Sequence, residues 1–369
     1  MTQRTHWRPL LETRHIVRTW AHPNHPRNPM THRNLLSTLS LSLFAAAGCG
    51  DDHEHSHADE LPTECAELVE LCHDADTGMG AATECHTTGH AGDAAACTAA
   101  RTECIAACAE PSVAVEINFA AEINGEAFGC GEVYDGVGSP AAEFQVSDFR
   151  FFVHDVALLA ADGTEFAVSL ETSEFQNEGV VLLDFEDASS SCTEAGSVET
   201  NTSVTGMVPD GVELVGLRFS LGVPYELNHR YPTDQTAPLN EESMFWTWLG
   251  GYKFVRIDGQ GVSGDTLNPF FIHLGSTGCP GESQTEPPTG PCTYPNVVTV
   301  EFDSFDPATQ TIVADLGRLL EDSDVMAATA ETAPGCMSSP MDPECTAILD
   351  AFGIATDGSI TAQKFFSVR

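Results

Sequence analysis

The sequence predicts an all-β fold, an antiparallel β-sandwich or barrel-like domain, preceded by a small disulfide-stapled α-helical segment. Three observations carry this. From residue 112 onward the chain breaks into short runs rich in Val, Phe, Ile, Leu and Tyr, separated by Gly, Asn, Asp and Pro. Several of these runs alternate apolar and polar residues with period two, as strands with two unlike faces do. Before residue 110 the composition is different: residues 61–110 are rich in Ala and Glu, which favour helix, and hold six cysteines. The stretch from 112 to 369 is about the length that one hydrophobic core can serve.

Residues 1–48 are read as a start-site extension and a lipoprotein-type signal, outside the mature fold. Met30 is the expected start. From there the chain runs MTHRNLLSTLSLSLFAAAGC, with a basic residue at Arg33, an apolar stretch and small residues before Cys49. The AAGC ending resembles a bacterial lipobox. It implies a lipid on Cys49 and a periplasmic or cell-surface protein anchored to the bacterial outer membrane. The apolar stretch is too short to span a bilayer, so the lipid is the expected membrane attachment. After Cys49 nine basic residues face 54 acidic ones. Such a surface repels nucleic acid and attracts cations without specificity.

Twelve cysteines follow Cys49. In an exported chain this even number supports up to six disulfides. No CxxC or CxxCH occurs, which speaks against a zinc ribbon, a thioredoxin-type centre and a c-type haem.

Residues 49–60 form a tether in which His53, His55 and His57 alternate with acids and Ser. Imidazole and carboxylate together can collect Cu²⁺, Zn²⁺ or Ni²⁺ loosely. In residues 61–110, Cys65 and Cys72 are seven apart, as are Cys97 and Cys104. Each pair therefore falls near one helix face. The expectation is two antiparallel helices with nested bonds Cys65–Cys108, Cys72–Cys104 and Cys85–Cys97, one of 15 possible pairings. The staples replace a core the segment cannot build. His73, His86 and His90 show no periodic ligand pattern and are expected to face solvent.

The β domain (112–369) is read in order as SVAVEINFAAEING, DFRFFVHDVALLAADGTEFAVSL, GVVLLDF, ELVGLRFSLGVPY, MFWTWLGGYKFVRIDG, FFIHLG and NVVTVEFDSF. ADG (161–163) is a tight hairpin turn with Gly163 at positive φ. TIVADLGRLL from 311 is expected to turn helical, and Cys336 and Cys345 to close a loop. Alternation in MFWTWLGGYKF places Met244, Trp246 and Trp248 on one strand face, with Phe245 and Thr247 on the other.

Three histidines lie in or beside such runs: His154 in FRFFVHDV, His229 in LGVPYELNH and His273 in FFIHLGS. Asp155 is expected to face away from His154. Histidines at separated strand ends can converge on copper or zinc, and a thioether such as Met244 would bias the ion to Cu(I). HExxH is absent, as is GxSxG in a nucleophile elbow, so no hydrolytic centre is indicated and the chain is not read as an enzyme. DFEDAS (184–189) and DGQGVSGD (258–265) offer carboxylates for calcium, with solvated turns the plainer reading.

FVHDVAL, LGVP…LNH, MFWTW…GYKF and HLGSTGC occur in that order. Together they resemble the MbnP-like family over roughly residues 113–360. The resemblance implies a periplasmic or surface copper-binding protein, the four-Cys partner of a MauG-like dihaem cytochrome c peroxidase. That partner oxidises a tryptophan to kynurenine, and Cu(I) is then held by histidines near the modified residue. It makes His154, His229 and His273 the ligand candidates and Trp246 or Trp248 the modified residue. It also implies structural disulfides among Cys130, Cys192, Cys279 and Cys292, with Cys130–Cys192 and Cys279–Cys292 favoured. The six-Cys segment and the tether depart from the family pattern. The competing reading is a surface structural or adhesion sandwich with no specific metal. A cupredoxin-like carrier is weaker, because no Cys–His–Met cluster is evident near one strand end.

Overall fold

Most of the strand runs after residue 112 assemble into two sheets that share one aromatic core. The computed structural model describes residues 61–109, 111–192, 197–355, 359 and 361–369. The leader, Cys49 and the tether histidines His53, His55 and His57 lie outside them. One sheet has six strands and the other ten. Phe119 from the smaller sheet meets Phe151 and Phe219 from the larger edge-on, and Phe366 packs on the same two rings. Pairings are antiparallel except two. The strand Ser112–Ile123 runs parallel to Thr311–Asp315, and Thr266–Leu274 runs parallel to Gly335–Cys336.

The spine of the larger sheet is the 19-residue strand Ala142–Ala160. It pairs with Val255–Ser263, Leu214–Leu221 and Val180–Asp184, and turns into its own hairpin partner Glu165–Ala167. That turn carries Gly163 at φ 85°, as the ADG motif requires. The pleat sends Phe149, Phe151 and Val153 toward the core and Asp148, Arg150, Phe152 and His154 to the opposite face. All seven are buried, because the connection between Leu221 and Val255 folds over that outer face, with Phe152 packed on Tyr252. Burial on both faces explains why FRFFV puts Phe and Val on both faces instead of alternating apolar with exposed polar residues, its one charge, Arg150, being buried and paired with Asp148.

Several expectations need correction. TIVAD is a strand whose Ile312 and Ala314 point inward, and only Leu316–Leu319 is helical. Asp315 ends the strand and caps that helix by accepting from the Gly317 amide. Residues 258–263 are strand, not loop. Met244 is not a strand neighbour of the tryptophans. It is buried at the end of a 3₁₀ turn, and the strand covers Phe245–Thr247 alone.

The N-terminal segment forms three helices, α1 (Thr63–His73), α2 (Ala81–Ala91) and α3 (Ala94–Cys108). Its bonds are Cys65–Cys97, Cys72–Cys108 and Cys85–Cys104, not the nested set. The break between α2 and α3 is the cause. Gly92 closes α2 in the left-handed region and Asp93 caps α3 through its side chain. The chain thus reverses once more than expected, and α3 runs in the direction of α1. The buried cluster consists of the six cysteines and Leu68, so the staples stand in for a core, as the composition suggests. Gly89 lets α1 and α2 touch: a Cβ there would lie 2.7 Å from the Val69 side chain.

Candidate metal centre

His273 stands on the outer face of the larger sheet, in register with Arg256 of the neighbouring strand. Its Nε2 lies 2.6 Å from Asp258 Oδ1, and Arg256 holds the other carboxylate oxygen. Burial alone would raise the Asp258 pKa. The hydrogen bond from His273, with the charges of His273 and Arg256, outweighs burial and holds it at about 2. Nε2–H therefore donates to a fixed carboxylate, and in the neutral tautomer this bond selects, the lone pair is on Nδ1. That Nδ1 is buried and has no hydrogen-bond partner among the described residues. A carboxylate behind one ring nitrogen, with the other unspent, is the arrangement that orients metal-binding histidines.

The indole of Trp246 lies 6.3 Å from the His273 ring, centre to centre. Gly275 makes room for it, since a Cβ there would fall 2.5 Å from Trp246 Cζ3. Trp246 borders a cavity of about 520 Å³ lined also by Leu249, Ser276, Cys279 and Met337. It also borders a second cavity of about 400 Å³ with Tyr231 and Trp248. Trp248 points elsewhere and stacks on Tyr231 at 5.4 Å. The two indoles thus do not share one strand face.

His229 follows a short helix, Tyr225–Asn228. Its Nδ1–H donates to the Trp248 carbonyl at 3.1 Å. Its Nε2 faces Asn228 Nδ2 at 3.3 Å and Cys292 Sγ at 3.7 Å. Burial lowers its pKa, partly offset by the Trp248 carbonyl, so the ring is neutral at neutral pH. Cys279–Cys292, Cys130–Cys192 and Cys336–Cys345 are all bonded as expected. His229 therefore faces a disulfide, whose sulfurs are not thiolate ligands. Asn228 ties the region together by accepting from the Tyr252 amide and donating to Ser276.

His154 is placed differently. A bulge interrupts its pairing with Leu214–Leu221, and Asp155 sits there at φ 49°. The bulge turns the Asp155 carboxylate back to 2.9 Å from His154 Nδ1, where simple alternation had pointed it away. The side chains of His154, His229 and His273 do not fall within the mutual distances of one ion's ligands. His229 and His273 flank the Phe245–Trp248 segment. Among the described residues, no hydrogen bond or ring contact joins His154 to that segment.

A buried charge network on the same sheet face was not foreseen. Asp148 receives a two-pronged pair from Arg150, at 2.9 and 2.6 Å, and a third contact from Arg256 at 3.1 Å. Burial and the Arg256 charge bring Lys253 down to about 8, and its Nζ donates to the Ser243 carbonyl. The spacing held a signal, because DFR and VRID each place polar residues two apart on one face. Moreover, three of the nine basic residues after Cys49 (Arg150, Lys253 and Arg256) gather here. Carboxylates of DFEDAS and DGQGVSGD are engaged in this network. Asp184 and Glu186 are buried beside Arg150, and Asp258 is taken by Arg256 and His273.

Burial lifts Asp184 from 3.8 to about 8 despite Arg150, with Glu186 adding to the rise. A raised folded-state pKa gives stability that is complete below the unfolded value and is lost as pH climbs to the folded one. Asp184→Asn imitates the protonated acid. It should unfold like the parent at pH 4 and be more stable by roughly 2–5 kcal/mol near pH 8. A gap that is the same in thermal melts at both pH values would count against this assignment.

Fold and site together define a two-sheet β protein with a histidine–tryptophan pair set against a disulfide-locked cavity. The MbnP family model matches residues 112–338. The structure of MbnP from Methylosinus trichosporium is similar at 31% identity and a TM-score of 0.62, covering 70% of this chain and 98% of that one. No curated protein sequence matches. The chain belongs to the MbnP family, as the four sequence motifs implied.

Proposed function

We propose that this is an exported copper-binding protein, not an enzyme, that holds Cu(I) through His229, His273 and a kynurenine made from Trp246. The maker would be a partner dihaem peroxidase of the MauG type, and the role copper acquisition or storage. The observation that carries this is His273 Nδ1, buried, unpartnered and backed by Asp258, beside an indole that borders two cavities. Copper supplies soft-acid binding of imidazole and of the aniline nitrogen that kynurenine adds and indole lacks. Trp246 is favoured over Trp248 because its ring, not merely its backbone, adjoins a candidate ligand. Among the described residues, His154 also has a nearby carboxylate and a buried, unpartnered Nε2, but it is set aside because it does not fall within one ion's ligand distances of His229 and His273 and has no contact with the Trp246 ring. A lipid on Cys49 would keep the protein at the outer membrane, where such a partner could dock.

The test is a Cu(I) competition titration against a chromophoric chelator, using protein made with and without the peroxidase. One tight equivalent should appear only with the partner. If the tight equivalent is absent in both samples once the tether histidines are replaced, the domain is a structural or adhesion module. The pH response has a defined sign. Burial depresses His229 below the free-imidazole value of about 6.5, so protons should displace copper only as pH falls below that value. Copper loss on raising the pH from 6 to 8 would contradict it.

A further inference from the structure

The helical module brings together three histidines that the sequence scatters. His73 ends α1, and His86 and His90 lie one turn apart on α2. His73 Nδ1 is 3.4 Å from His86 Nε2. The His86 ring is 5.3 Å from that of His73 and 4.6 Å from that of His90, nearly edge-on to each. We propose that His73, His86 and His90 form a site for a borderline divalent cation of the Zn²⁺, Cu²⁺ or Ni²⁺ type. It lies outside the residues that match the family.

Two imidazole nitrogens bound to one tetrahedral ion at about 2.0–2.1 Å are roughly 3.3–3.4 Å apart. The His73–His86 separation already meets that distance. His86 is also prepared as a ligand. Its Nδ1–H donates to Asp76 Oδ2 at 2.7 Å, which fixes the tautomer and leaves the Nε2 lone pair directed at His73. Asp76 is itself held, accepting from Thr83 Oγ1 at 2.5 Å and the Gly78 amide at 2.8 Å. These bonds and that from His86 keep its carboxyl down at about 2. The backbone is pinned at both main ligands. Cys72, next to His73, and Cys85, next to His86, are each bonded to α3. Close contact at Gly89 sets the distance between α1 and α2. As they stand the three rings are not all within one ion's ligand distances; His90, one turn from His86 and ring-packed against it, would supply the third ligand by a change of rotamer.

The experiment uses the mature chain with His53, His55 and His57 replaced by Ser in every sample, titrated with Zn²⁺ against a chromophoric chelator. The parent should bind one Zn²⁺, and should keep it when His154, His229 and His273 are all Ala. His86→Ala should abolish that binding, and Asp76→Asn should weaken it about 10- to 100-fold. His73→Gln, at an exposed helix end, should also lose it, with the helical circular dichroism signal unchanged. Parent-like binding in His86→Ala and His73→Gln overturns the proposal, as does loss of binding in the β-domain triple variant.

Discussion

Arg150→Met is expected to destabilise the β domain by roughly 3–5 kcal/mol, because it strands a buried carboxylate. Arg150 and Asp148 are 1% and 0% exposed, so water cannot replace the lost partner. Burial works against the guanidinium charge, yet the two-pronged pair with Asp148 holds it protonated. Methionine keeps much of the apolar stem but none of the five donors. Among the described residues, Asp148 would then retain only Arg256, which it shares with Asp258. Arg150→Lys should also lose stability, since a point charge does not reproduce the two-pronged geometry. Removing both charges, in Arg150→Met with Asp148→Leu, should recover part of the loss. Urea unfolding measures all three. A loss under about 1 kcal/mol for Arg150→Met, the range of exposed pairs, would mean that the network is solvated.

His273→Ala should remove tight Cu(I) binding from peroxidase-treated protein, and His229→Ala should do the same. His154→Ala should leave stoichiometry and affinity near those of the parent, because its ring belongs to a different part of the sheet. Asp258→Asn separates orientation from ligation. It keeps the side-chain volume, replaces the carboxylate behind His273 with a neutral amide, and should weaken copper binding about 10- to 100-fold. The measurement is the same chelator competition for all four variants. Equal losses from His154→Ala and His273→Ala would restore the three-histidine arrangement that the sequence suggested. No loss in either His229→Ala or His273→Ala would move the site elsewhere.

The strands were legible because their chemistry is local. Period-two alternation marks Val298–Phe302, and the ADG turn marks the hairpin between Ala142–Ala160 and Glu165–Ala167. TIVAD gives no periodic signal because Ile312, Val313 and Ala314 are all buried, and a short apolar run buried on both faces does not separate strand from helix. The site was legible as a set of residue types but not as a geometry. Which of Trp246 and Trp248 meets a histidine depends on a short strand, Phe245–Thr247, whose register is irregular. Asp155 turned back on His154 through a bulge that no spacing announces. In the β domain, the pairs Cys130–Cys192 and Cys279–Cys292 followed from family resemblance and Cys336–Cys345 from its short loop. Those of the helical module did not, because its third helix is signalled only by Gly92 and Asp93. The His73–His86–His90 group was missed for the same reason: its members meet only once α1 and α2 are packed.

The most direct measurement is peptide mass spectrometry of protein purified from its native host. The peptide spanning residues 244–253 should carry the mass change of one oxygen gained and one carbon lost, with fragment ions assigning it to Trp246. The same peptide from protein made without the partner should be unchanged. Intact Trp246 and Trp248 in native material would contradict the proposed maturation and leave at most a histidine-only site.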